Sequence, residues 1–286
     1  MTSIGPHPSR KLIDRIRQGL ADRYDVERSV GKGGMATVFL AVDRQTGDQV
    51  ALKVLAEGVA SRIMRERFHR EMGVGGKLVH PHIVPIFDGG EVEGLPFLVM
   101  PYLSGDSLRG RLDREGQLDV GEAVAIGWQL ADALTCAHGY GIIHRDIKPD
   151  NVLFEGSRAM IADFGVAVAI KESIDERLTT PGEILGTPTY MSPEQAMARY
   201  HLDARTDIYS LACVIYEMLT GAPPFIPSSP RAIVVRRLAD PIPAIRDVRD
   251  EVSAEVERAL ATALEWKPED RFSTAEEFGK ALKDGG

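Results

Sequence analysis

The chain has 286 residues and is 44% hydrophobic, enough for one large domain or two lobes meeting at a cleft, which excludes a fibrous or disordered chain. Lysine and arginine number 34 against 42 acidic residues, and the formal charge of −8 is opposite in sign to the footprint of a phosphate-backbone binder, so no nucleic-acid partner is expected. Cys136 and Cys213 lie far apart in apolar stretches and read as buried thiols in a reducing cytoplasm. Met1–Lys11 has no apolar leader and no long apolar run follows, so neither a secretion signal nor membrane contact by this chain is expected.

Along the chain, Leu12, Ile13, Ile16 and Leu20 recur at helical spacing and predict a short amphipathic helix within residues 10–23, packed on the domain. The texture then turns strand-like, with strands predicted at Tyr24–Val30, Thr37–Asp43, Gln49–Leu55, Ile83–Gly90 and Pro96–Met100 and a turn at Gln45-Thr46-Gly47-Asp48. One helix interrupts them, from Ser61 to Leu78, before His80-Pro81. From Leu118 onward helices are predicted at Val120–Tyr140, Asp207–Leu219, Ser229–Ala239, Ala254–Leu264 and Thr274–Lys283, the last with Ser273 or Thr274 as its N-cap. The expected architecture is α+β: a helical extension at 1–23, a small β-rich lobe at 24–100 with one main helix, a hinge at 101–105 and a larger, mostly helical lobe at 106–283.

Three stretches carry the chemistry. Gly31-Lys32-Gly33-Gly34-Met35-Ala36-Thr37-Val38 lies between two strands, where glycines let backbone N–H groups approach a phosphate; alone, such a stretch is by default only a tight turn. A strand follows it rather than a helix, which argues against a Walker A loop or a dinucleotide fingerprint. Lys53 sits within the apolar strand Val50-Ala51-Leu52-Lys53-Val54, where an ammonium calls for an anionic partner. Glu71 on the small-lobe helix is available, although by itself it reads as a solvated glutamate. The decisive run is His144-Arg145-Asp146-Ile147-Lys148-Pro149-Asp150-Asn151, charged and metal-competent side chains set between apolar segments, followed by Asp163-Phe164-Gly165. Its carboxylate and amide oxygens are ligands that a hard ion such as Mg²⁺ prefers.

This ordered set resembles the protein kinases, specifically the bacterial eukaryotic-like serine/threonine kinases, from about Tyr24 to Leu282. The resemblance implies a bilobal protein kinase fold and an ATP- and Mg²⁺-dependent enzyme, with Mn²⁺ as an alternative ion, that phosphorylates serine and threonine hydroxyls of proteins. Gly31, Lys32, Gly33, Gly34, Met35 and Ala36 would cover the phosphates, and Lys53 would hold them while pairing with Glu71. Val30, Val38 and Ala51 above and Leu153 below would enclose the adenine, with backbone bonds to Pro101 and Leu103 and Met100 as gatekeeper. Asp146 would be the catalytic base, Lys148 would lie beside the transferred phosphoryl group, and Asn151 and Asp163 would hold the metal. Thr187 in Gly186–Glu194 would order the substrate-docking loop, Glu194 would pair with Arg271, and Asp207 would brace the catalytic loop.

Departures are few: Ala36 stands at the usual third glycine, Pro101 lacks an N–H at a position that uses its carbonyl, and Ser192 replaces the alanine of Ala-Pro-Glu. Gly73, Gly75 and Gly76 predict that the helix bearing Glu71 needs nucleotide, phosphorylation or a partner to dock. Thr179 and Thr180, with Arg145 before Asp146, predict autophosphorylation of the activation loop. A scaffold pseudokinase would lack Lys53, Asp146 or Asp163; a small-molecule phosphotransferase would not need Gly186–Glu194 or Arg271; a simple binding module would not need Asp146. The resemblance also admits a homodimer through the small lobe, and a cytoplasmic fragment whose parent continues past Gly286 into a membrane anchor and sensor.

Overall fold

A computed structural model describes residues 8–33, 36–56, 78–164, 188–197, 202–225 and 242–286. Gly34, Met35, Glu71, Gly73, Gly75, Gly76, Gly165, Thr179, Thr180, Thr187 and the helices predicted from Ser61 and Ser229 lie outside the described residues. The described residues divide into two compact units, the first running to Leu103 apart from His80–Ile83 and the second taking up those four residues and the chain from Ser104.

The first unit is a five-stranded antiparallel sheet in the order β1-β2-β3-β5-β4, formed by β1 (Tyr24–Lys32), β2 (Ala36–Asp43), β3 (Gln49–Leu55), β4 (Asp88–Val92) and β5 (Leu95–Pro101). Successive side chains of a strand point to opposite faces, and β3 is apolar on both. Val50, Leu52 and Val54 join Val26, Phe39, Ala41, Phe97 and Val99 in one core, which Ile16 and Leu20 complete from helix α1 (Pro8–Gly19) and its C-terminal end. Arg17 fastens this helix, its Nε donating to the Val26 carbonyl at 2.7 Å and its Nη2 to that of Glu27. On the other face the register sets Ala51 opposite Leu40 and Met100, and Lys53 opposite Val38 and Leu98.

The predicted strand Ile83–Gly90 forms only as Asp88–Val92. Pro85 has no N–H for a ladder, and Ile83 instead makes an isolated parallel bridge to Ile161 within the second unit, where the His82 carbonyl accepts from the Ile161 N–H at 2.9 Å.

The second unit contains α2 (Leu108–Glu115), α3 (Val120–Gly139), the hairpin β6 (Val152–Glu155) and β7 (Arg158–Ile161), α4 (Pro193–Ala196), α5 (Arg205–Thr220), α6 (Ala254–Ala263) and α7 (Ala275–Gly285). Every residue of α5 from Thr206 to Leu219 is buried, the pattern of a helix enclosed on all sides. Gly221 ends it in a left-handed conformation, φ +80°, with its N–H on the Glu217 carbonyl at 2.8 Å. Neither α2 nor the hairpin was among the predicted elements; α2 has Gly110 near its start and buries only Leu108 and Leu112.

Candidate active site

In the second unit the loop from His144 to Asn151 is held from three directions. From α5, buried Asp207 accepts the backbone N–H groups of His144 and Arg145, each at 2.8 Å, and lies 2.8 Å from His138 Nε2 of α3. Burial alone would push the Asp207 carboxyl up, but the His138 hydrogen bond and the backbone donors hold it below its ordinary range.

A second hold comes from buried His144. Its Nδ1 accepts the Asp146 N–H at 3.2 Å, so Nε2 carries the proton and donates to the Ala162 carbonyl at 2.9 Å. The same ring meets Phe164 edge to face, centroids 4.7 Å apart. One neutral imidazole thus ties the base of the Asp146 loop to the residues flanking Asp163. Arg145 and Asp163 both have positive φ, +65° and +68°, a conformation that costs a non-glycine residue roughly 1 kcal/mol or more and persists where its surroundings enforce it.

The third hold is internal. Lys148 Nζ lies 2.8 Å from Asp146 Oδ2, and Asn151 Nδ2 donates to the same oxygen at 3.2 Å and to the Asp146 carbonyl at 2.8 Å. The Asn151 backbone carbonyl accepts the Ala162 N–H at 2.8 Å, one residue before Asp163. Asp146, Lys148 and Asn151 therefore share one hydrogen-bonded frame, which the backbone bond to Ala162 joins to the residue before Asp163.

The segment Pro188–Met197 is anchored as tightly. Ser192 caps α4, and its side chain and that of Gln195 bond reciprocally to each other's backbone N–H. Glu194 makes a two-pronged ion pair with Arg271, both contacts 2.9 Å and both side chains buried, and also accepts from the Thr206 hydroxyl at 2.8 Å. Burial would raise the Glu194 carboxyl; Arg271 more than reverses it, leaving it below the ordinary range. Tyr190 donates to Glu217 at 2.5 Å, and Arg109 of α2 binds both at 2.7 and 2.9 Å. Burial, and then this bond to Glu217, drive the Tyr190 hydroxyl far above the usual tyrosine range.

In the first unit, Lys53 is half-buried on β3 and shares its sheet face with Val38, Ala51 and Met100. Gly31 pairs with Val38 just beyond a register shift in β1, and the Gly33 N–H bonds the Ala36 carbonyl at 2.9 Å. Pro101 ends β5 opposite Val50, Leu103 closes the unit, and Leu153 of the second unit lies on β6 opposite Met160. Sequence reasoning passed over His138, Arg109, Glu217 and Gln195. Only Gln195 had a local signal, the Ser-x-x-Gln spacing of a capping box.

The family described as the protein kinase domain matches residues 24–281, and the chain belongs to it. The bacterial relatives it resembles are named as serine/threonine-protein kinases. Probable serine/threonine-protein kinase CE0033 of Corynebacterium efficiens is 38% identical over 274 residues, covering 92% of this chain and 41% of that protein. PknH of Mycobacterium bovis is 40% identical over 263 residues, covering 91% and 44%. The chain thus spans less than half the length of these relatives. Among solved structures, the crystal structure of Rad53 1-466 in complex with AMP-PNP superimposes with a TM-score of 0.76 at 28% identity, covering 96% of this chain and 67% of that one.

Proposed function

We propose that this chain is the catalytic domain of an ATP-dependent serine/threonine protein kinase in a signalling pathway, acting on protein hydroxyls in the cytoplasm. The observation that carries this reading is the convergence of Lys148 and Asn151 on Oδ2 of Asp146. With that oxygen engaged, Oδ1 would receive the acceptor hydroxyl, while Lys148 neutralises charge beside the transferring group. Phosphoryl transfer has a loose, highly charged transition state, so positioned charges rather than a covalent intermediate would supply the catalysis. Lys53 would hold the α and β phosphates, and the apolar side chains of Val30, Val38, Ala51 and Met100 would suit an adenine ring.

The donor set fits a magnesium ion. Asn151 commits its amide nitrogen to Asp146, which leaves the carbonyl oxygen as the end that would bind metal, with the carboxylate of Asp163 as the other proposed donor. Phosphate oxygens of the nucleotide would complete the shell. A bound ion would draw off charge from the phosphates; the chain's own part is to fix the acceptor hydroxyl against Asp146.

Activity would depend on autophosphorylation at Thr179 or Thr180 and on pairing of Glu71 with Lys53. Among the described residues no helix is long and apolar enough to cross a membrane. The test is transfer of radiolabel from the γ-phosphate of ATP to the chain itself or to a protein acceptor. Asp146→Asn should reduce transfer at least about 100-fold; labelling by that variant at the wild-type rate would refute the reading.

A further inference from the structure

The peptide bond joining Arg145 to Asp146 is held at both of its polar atoms. Its N–H, on Asp146, donates to His144 Nδ1 at 3.2 Å, and its carbonyl, on Arg145, accepts from Gln195 Nε2 at 2.8 Å. The second donor comes from α4, fifty positions along the chain. The orientation of the Gln195 amide follows from its other end, where Oε1 accepts the Ser192 N–H at 3.0 Å, so that Nε2 is the group facing Arg145. Arg145 needs such a hold: its φ of +65° is one that an L-residue leaves unless its neighbours enforce it, and its own N–H is fixed separately on Asp207 at 2.8 Å.

We propose that Gln195 is a positioning residue for phosphoryl transfer, its side-chain amide clamping the Arg145 carbonyl and so fixing the peptide plane from which Asp146 projects. The inference rests on the protein kinase reading above and deepens it. Asp146 must meet an acceptor hydroxyl within hydrogen-bond reach, and a rotation of its leading peptide would carry the carboxylate off that line. Because the donor belongs to the segment that also carries Glu194 and Ser192, a shift in that segment is relayed to the catalytic carboxylate through one hydrogen bond. Coupling would run through a named contact and not through proximity alone.

Two variants separate this role from helix capping. Gln195→Glu keeps an oxygen for the Ser192 N–H, and so keeps the capping box, but offers the Arg145 carbonyl a carboxylate where it had a donor. Gln195→Ala removes both bonds. Each is assayed for kcat and for the KM of ATP, together with thermal unfolding and with wild type and Asp146→Asn alongside. Both variants should lose kcat by about 10-fold while the KM of ATP stays within about twofold, and Gln195→Glu should melt with the wild type. A folded Gln195→Glu chain with wild-type kcat would reduce Gln195 to a cap, and a rise in the KM of ATP matching the fall in kcat would mark general distortion; either result overturns the clamp. A wild type that transfers no phosphate would remove the kinase reading and the clamp with it, whereas an active wild type beside unaffected variants removes the clamp alone.

Discussion

Arg271 spends its guanidinium on Glu194 and on three backbone carbonyls, those of Glu265 at 2.7 Å, Trp266 at 3.0 Å and Arg205 at 3.1 Å, and it stacks 4.9 Å from the Tyr209 ring centre. Replacing it with alanine strands a buried carboxylate, so Arg271→Ala should cost about 3–5 kcal/mol in urea unfolding. Lysine should not rescue it, since a single ammonium cannot reproduce the planar fork. Glu194 and Asp207 make stability depend on acidity in a stated direction. Both carboxyls lie below their ordinary values of 4.5 and 3.8 in the folded chain. Their contribution is therefore complete above those values and is lost as pH falls through the lower folded ones. Denaturant melts between neutral pH and pH ~3 should show the loss, with a shallower slope in Asp207→Asn. The run from His144 to Asn151 stood out in the sequence because charged groups crowded between apolar segments demand an explanation, while the roles expected of Asp146, Lys148 and Asn151 came from the resemblance alone. His138 was not, since nothing near it in the sequence announces a buried carboxylate sixty-nine positions away.

Elements announced by period and cap were the readable ones. The last helix is an example: the sequence left Ser273 and Thr274 as rival N-caps, and the structure selects Thr274, whose hydroxyl accepts the Glu277 N–H at 3.1 Å while Glu277 reaches back to the backbone of both residues. Thr274→Ala should cost about 1 kcal/mol and Ser273→Ala close to nothing, measured by thermal or denaturant unfolding. Helix α2 was invisible for the opposite reason: at eight residues with two buried leucines it has too few turns to establish a period. The strand predicted from Ile83 failed because alternation says nothing about which neighbour a backbone will find, and Ile83 found Ile161.

At the scale of the molecule, the family match begins at Tyr24, yet the core of the first unit does not. Ile16 is 0% and Leu20 6% exposed, each on the face of the sheet opposite Lys53. A chain starting at Tyr24 should lose up to about 1.5–3 kcal/mol for each of these side chains and melt several degrees lower, which calorimetry would read directly. That the helix would pack was legible from its spacing; that it completes the core was not, because that core draws on five different strands. The two faces of β3 also bear on inheritance. Lys53 and Leu52 differ by a single step, and neighbouring positions answer to opposite faces, one where the ammonium is half-buried and one fully enclosed in the core beneath α1. Loss or gain of one codon ahead of Lys53 within β3 is thus an error of parity: it would turn the ammonium into the oil beneath α1 and set Val54 or Leu52 in its place, so this strand tolerates substitution better than a change of length.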